Sequence, residues 1–293
     1  MLGGKGEADK ASTMDLFDTV SGTGQNISLN LPHSRHYGSG QGAQLFSDGT
    51  VALVGGLSSD PNLKQVLLLD LINHNFTVSS EPAMLQSNKF ARLAATLADD
   101  CLYMCGGKDM EENILTPACS KVCKAGSAFN WEALPPAPYA AQALRMAHLD
   151  NTLYLLGGHT DQNVKLMYSF GLPNGPWQRR PDMSFARDQP GVAVLNQEIF
   201  VCGGQASPEY LAACERYNPT SDSWSSVPSM TEKRKGGALK LVDGKLYALG
   251  GTDGQDPSSA ERSVEVFDPQ SNTWSHLGDV LPRDRFDGAF VLI

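Results

Sequence analysis

A pair of glycines closing a short apolar run returns six times along this chain, and that recurrence constrains the fold more than any other feature. The runs are MLGG, VALVGG, LYMCGG, LYLLGG, IFVCGG and LYALGG, with diglycines beginning at residues 3, 55, 106, 157, 203 and 250. Intervals of 52, 51, 51, 46 and 47 residues are too short for separate domains. They suit one supersecondary unit that buries its faces only against neighbours of its own kind. Each apolar run has strand character, and the glycine pair supplies a backbone free to take positive φ or to approach another segment closely. In the last two repeats a further strand is explicit: AACERYNPTSDSW and SVEVFDPQSNTW place Tyr217 or Phe267 seven residues before Trp224 or Trp274. Asn218-Pro219 and Asp268-Pro269 mark the turn between them. A proline-bearing link follows, then KRKGGALKLVDGKLYALGG, in which Asp243-Gly244 is a hairpin signal. Each unit therefore predicts four short antiparallel strands.

Composition narrows the partners. With 41% hydrophobic and 19% charged residues, 29 glycines and 17 prolines, the 293-residue chain has material for a core and for many tight turns. A net charge of −9 opposes binding to phosphate backbones and anionic membranes, so nucleic acid is not an expected partner. No stretch approaches eighteen consecutive apolar residues, and the opening MLGGKGEADK lacks the apolar core of a signal peptide, so no membrane insertion is expected.

The diglycine, the aromatic residue seven before Trp and the period near 50 resemble the Kelch repeat, over the whole chain. The likeness is strongest in the repeats ending at Trp177, Trp224 and Trp274; Trp131 or Phe76 takes the Trp place in two others, and Ile27 in the first. The resemblance implies an all-β fold, a six-bladed Kelch β-propeller with four antiparallel strands per blade, forming a single domain over residues 1–293. The segment Arg285 to Ile293 aligns with Arg234 to Val242, the first strand of a unit, and Met1 to Gly4 resumes at the end of a second strand. One blade is therefore expected to be closed by both termini, which protects edges that would otherwise pair with other chains.

Cys101, Cys105, Cys119, Cys123, Cys202 and Cys214 bracket diglycine hairpins. Cys101 with Cys123 and Cys105 with Cys119 share one sum of residue numbers, as directly opposed antiparallel partners do, and the two pairs fall in the same class of the ladder. Cys202 takes the place of Cys105 in the fifth hairpin, and Cys214 answers it. Two readings stand: three cross-strand disulfides in a secreted protein, or reduced core thiols in a cytoplasmic one. Cys101 favours the first, because its slot holds Thr50, Thr152, Glu198 and Lys245 in other repeats. Zinc fits poorly, since residues four apart on a strand are separated by about 13 Å. No metal or other cofactor is expected. Asn26-Ile-Ser and Asn75-Phe-Thr are candidate glycosylation sequons.

Sixteen residues before the diglycine, successive repeats carry Arg187, Arg234 and the aligned Arg285, where the others have Ser39, Phe90 and Ala141. Such arginines resemble those with which Kelch adaptors of cullin ubiquitin ligases hold acidic peptides through charge-assisted bonds. The expected activity is protein binding, with Arg187, Arg234 and Arg285 as the anion-recognising half of a loop-face site and Tyr210, His159 and Ser39 beside them. A protein or acidic peptide is the expected ligand. The competing reading for the arginines is local ion pairing. Catalysis is not expected. His33 and His36 are the one spaced histidine pair, and no nucleophile elbow, phosphate loop or H-E-x-x-H occurs. Arg187-Asp188 and Asp284-Arg285 are the residues on which a sugar-active or redox enzyme would have to rely.

Overall fold

In a computed structural model of the protein, residues 13–18, 23–28, 36–46, 50–57, 67–70, 75–78, 90–109, 112–125, 128–254 and 262–281 are described. They contain no helix; strands make five four-stranded antiparallel sheets and several two- or three-stranded pieces. The third sheet is representative: Arg145–Leu149, Thr152–Leu156, Met167–Gly171 and Trp177–Arg180 pair in chain order. The first begins at the strand His36–Leu45, the second at Ala94–Ala98, the fourth at Gly191–Leu195 and the fifth at Ala238–Val242. These first strands lie next to one another in succession, so the sheets stand radially about a common axis. Thr13–Asp18 and Thr23–Ser28 form a separate hairpin.

Two devices in the sequence set each sheet. The tight hairpin after the first strand is built on paired left-handed residues: Asp99 and Asp100, Asp150 and Asn151, Asn196 and Gln197, and Asp243 and Gly244 all have positive φ. Asp243-Gly244 is the favourable chemistry for such a turn, and the second, third and fourth sheets achieve it with acids and amides that tolerate the region. The aromatic residue and the Trp oppose each other across the outer strands: Phe170 faces Trp177, Tyr217 faces Trp224 and Phe267 faces Trp274. Their rings pack at a tilt, with centroids 5.0 to 5.3 Å apart. Val122 opposite Trp131 and Leu69 opposite Phe76 repeat the arrangement with other residues. Three of the indoles also reach back to the preceding link, Trp177 Nε1 donating to the Pro135 carbonyl at 3.1 Å, Trp224 to Pro181 at 2.9 Å and Trp274 to Pro228 at 2.9 Å, while Trp131 Nε1 is buried without an acceptor among the described residues. Outer strands are thereby fixed to the sheet before them.

Between sheets the apolar faces interlock. Ala94, Tyr103 and Cys105 of the second meet Leu144, Leu153 and Phe170 of the third in one buried cluster. Met167 and Tyr154 of the third meet Ile199, Val201 and Tyr217 of the fourth in another. The cysteines sit in this framework in opposed pairs, Cys101 with Cys123, Cys105 with Cys119 and Cys202 with Cys214, with sulfurs in bonding contact. Their Cα separations of 4.0, 4.1 and 4.2 Å suit the closer, non-hydrogen-bonded class of antiparallel pair. Cys105 and Cys119 are also members of the buried cluster, so the core and bridge readings converge on the same residues.

The diglycine has a steric reason. Gly157 has φ +65°, and a Cβ there would stand 2.6 Å from the Arg187 carbonyl. Gly157→Ala is expected to cost about 3 kcal/mol, combining left-handed strain with displacement of the next sheet's approach. Urea denaturation of the variant checks this; a loss under about 1 kcal/mol would mean that close approach does not require the glycine.

Candidate functional site

The arginines expected at the rim lie inside. Arg187 has a relative exposure of 0% and Arg234 of 3%. Arg187 Nε donates to Glu215 Oε1 at 3.0 Å, and Nη1 donates to the carbonyls of Gly203 and Ala213 at 2.5 and 2.9 Å. Nη2 is 3.0 Å from the same carboxylate oxygen, an ion-pair contact off the hydrogen-bonding direction. Glu215 Oε2 accepts the amide of Ser184 at 2.8 Å. Arg234 repeats the arrangement: Nε and Nη2 donate to Glu265 Oε1 at 3.3 and 3.1 Å, and Nη1 to the Gly250 and Ser263 carbonyls at 2.9 and 3.1 Å. Glu265 accepts the amides of Thr231 and Glu232 at 2.6 and 3.1 Å. Desolvation lowers the pKa of Arg187, with the Glu215 carboxylate opposing the shift. Each arginine thus ties the start of its sheet to the diglycine carbonyl and the third strand. Neither guanidinium of the two arginines expected to meet a ligand is presented to solvent; both are engaged in local ion pairs.

The remaining expected residues fall in different places. Arg285 lies outside the described residues, as does His33. Ser39, Asn26 and Asn75 have described backbones only, in the strands His36–Leu45, Thr23–Ser28 and Asn75–Val78. His159 and Tyr210 are both on the face formed by the loops that follow the diglycines, half-buried and joined by a polar path. His159 Nδ1 lies 2.7 Å from Asn163 Oδ1, and Asn163 Nδ2 donates to the Gln205 carbonyl at 2.6 Å, crossing from the third sheet to the fourth. Lys235 of the fifth sheet completes the path. Its Nζ donates to Gln205 Oε1 at 2.6 Å, forms an ion pair with Asp188 Oδ2 at 2.7 Å and stands 6.0 Å from the centre of the Tyr210 ring. Gly254 leaves the room in which that ring lies. Asp188 Oδ1 is buried without a hydrogen-bond partner.

Beneath this surface runs a main-chain belt. Ala143 N donates to the Arg92 carbonyl at 2.7 Å, Gln189 N to Ala143 at 3.4 Å and Gly236 N to Gln189 at 3.0 Å, linking four successive sheets. All four residues are left-handed, with φ of 57°, 58°, 53° and 70°. Asn163, Gln205 and Lys235 were not anticipated from the sequence, and Asp188 was singled out only for acid-base chemistry. Their signal is positional: the residue after the Arg and the residue after the diglycine oppose each other, as Asp188 with Gln205 and Lys235 with Thr252.

Radial antiparallel sheets tied at diglycine hairpins, with a belt of loops on one face, define a β-propeller of repeated units. A family model described as the KLHDC2/KLHL20/DRC7 Kelch-repeats domain matches residues 92–285. That is more than half of the chain, which belongs to this Kelch-repeat family. Among curated proteins, beta-scruin of Limulus polyphemus is 30% identical over 141 residues, 44% of this chain and 15% of its own length. Kelch-like protein 35 of Mus musculus is 30% identical over 146 residues, 50% of this chain and 25% of its length. Kelch repeat and BTB domain-containing protein 12 of Homo sapiens is 27% identical over 220 residues, 65% of this chain and 34% of its length. The chain therefore spans about a third or less of the length of these relatives.

Proposed function

We propose that this chain is a protein-binding propeller, without catalysis of its own, whose ligand surface is the face carrying His159, Tyr210 and Lys235. The observation that carries this reading is the side-chain path from His159 through Asn163 and Gln205 to Lys235 and Asp188, which joins loops of three sheets into one surface. Loops ordered before a partner arrives lose little freedom on binding, and Tyr beside a cation is a frequent anchor at interfaces. The ligand is a protein segment; an acidic one would share Lys235 with Asp188, because the arginines are buried and paired.

Six blades closed by both chain ends remain part of this proposal. Asp15, two residues before Phe17, holds the place that Glu215 holds before Tyr217 and Glu265 before Phe267. Arg285 holds the place of Arg187 and Arg234. An Asp15–Arg285 pair would repeat the buried pairing across the two termini.

The adaptor reading rests on relatives whose names join Kelch repeats to BTB or F-box domains. On that reading the propeller is the substrate-recognition part of a ligase adaptor and works in the cytoplasm. Paired cysteines favour the alternative, an extracellular protein.

A photo-crosslinking residue at position 210 is expected to capture a binding partner that the same residue at Asp222, in an outer turn, does not. His159→Ala with Tyr210→Ala is expected to weaken that partner at least about tenfold with an unchanged denaturation midpoint. Equal capture from both positions would remove the loop face from consideration.

A further inference from the structure

Among the described residues, Asp188 carries the one carboxylate oxygen that is buried without a hydrogen-bond donor. Its side chain is 10% exposed, and Oδ2 pairs with Lys235 Nζ at 2.7 Å while Oδ1 meets nothing. A buried acceptor left without a donor is unfavourable, and a charged one more so. The main chain holds the group in place, because Asp188 and Gln205 exchange both amide-to-carbonyl bonds, each at 2.9 Å. The cations beside it are engaged: Arg187 faces Glu215, Lys233 faces Glu209, Arg234 faces Glu265, and Lys235 serves Asp188 itself.

His159 offers a second acceptor, and its neighbours decide which nitrogen bears it. The Asn163 atom 2.6 Å from the Gln205 carbonyl has to be the donor Nδ2, since an oxygen there would face an oxygen. Asn163 Oδ1 is then the acceptor that His159 Nδ1 meets at 2.7 Å, so the imidazole proton sits on Nδ1. In the neutral ring Nε2 keeps its lone pair, and no described residue donates to it. The Tyr210 ring, 6.0 Å from Lys235 Nζ, presents a face that also attracts cations. What this surface leaves open to a ligand is therefore acceptor character. Its lysine already gives bonds to Asp188 and to Gln205 Oε1. The net charge of −9 acts in the same direction, favouring encounter with a cationic partner.

We propose that the segment bound at the loop face is basic, and that Asp188 Oδ1 takes the ammonium or guanidinium of one of its lysines or arginines. This rests on the loop-face reading and names the chemistry of the ligand. A carboxylate so little exposed is reached by a slender group, which the extended end of a lysine or arginine is and a partner's main chain is not. A charge-assisted bond there gives Oδ1 the donor that the fold withholds.

A random peptide library displayed on phage and panned on the full chain is expected to yield sequences enriched in lysine and arginine over aspartate and glutamate. Asp188→Asn tests the atom itself. Lys235 Nζ keeps the amide oxygen in the place of Oδ2, so an NH2 group replaces Oδ1 and an acceptor becomes a donor. The selected peptides are expected to bind this variant about tenfold more weakly or worse, and panning on it to favour acidic sequences. Lys235→Gln, which releases the carboxylate from its own cation, is expected to tighten the same peptides about threefold or more, and it keeps the test decisive if Asp188→Asn does not fold. Acidic sequences selected by the unaltered chain overturn the proposal. So do basic sequences indifferent to both variants, the result that a buried water at Oδ1 would give. The loop-face reading is judged by Tyr210→Ala: peptides of either charge that lose affinity with it keep that reading. Peptides indifferent to Tyr210→Ala and to Asp188→Asn alike, or a selection that yields no saturable binder, overturn both.

Discussion

Replacing Glu265 by Ala is expected to destabilise the protein by about 3 to 5 kcal/mol, one of the largest losses available to a single substitution here. The reason is the site it vacates. Glu265 is 0% exposed and neutralises Arg234, which is 3% exposed, while its two oxygens also hold the amides of Thr231 and Glu232. Without it the guanidinium keeps two carbonyls, the Ser263 hydroxyl and the longer, part-exposed contact to Glu232 at 3.4 Å, and two amides lose their acceptor. Arg234→Met leaves the carboxylate with its two amides and is expected to cost less. Denaturation of both single variants and of the double variant completes a cycle, whose coupling should exceed about 1.5 kcal/mol. A loss below about 1 kcal/mol for Glu265→Ala would mean that Arg234 finds solvent, and would return it to the candidates for ligand contact.

Reduction is expected to have an effect of the same order. Cys202 and Cys214 close a loop of sequence separation 12, Cys105 and Cys119 one of 14, and Cys101 and Cys123 one of 22. On a chain-entropy account each restrains the unfolded chain by about 3 kcal/mol. Cys202→Ala with Cys214→Ala should therefore lower stability by about that amount, cavity effects adding to it because both positions are buried. Intact mass without reductant should be lower by six hydrogens than after reduction. Six free thiols, together with a denaturation midpoint indifferent to reductant, would sink the bridged reading and favour the cytoplasmic adaptor.

The fold was largely legible because its signals are periodic and local. Diglycines mark where a sheet approaches its neighbour, the aromatic residue and Trp oppose each other in register, and the cysteine arithmetic identified partners because the ladder between Cys101–Cys105 and Cys119–Ala125 has no bulge. The site was less legible. A run of arginines at equivalent positions looks alike whether it faces water or the interior; burial depends on the acid that meets it. That acid was present in the sequence: Glu215 and Glu265 stand two residues before the aromatic position in the sheets that carry Arg187 and Arg234. The third sheet has Tyr168 there, and Ala141 in place of the arginine. Reading the two columns together would have assigned the pairs. Gln205 and Lys235 do hold repeat positions, after the diglycine and after the arginine, but those positions name no side-chain partner, because the contacts arise where separate loops come together.

The bonds from Trp177 to Pro135, from Trp224 to Pro181 and from Trp274 to Pro228 span a nearly constant distance along the chain. Each of these three units therefore inserts the same plug into the same socket, the link behind it, whereas Trp131 of the second sheet has a buried Nε1 with no such acceptor among the described residues. Tandem copying of one unit's coding segment, cut at any equivalent point, would leave every socket filled. Such a chain can change its number of units in whole steps while each junction keeps its chemistry, and the loops on the binding face are free to diverge independently.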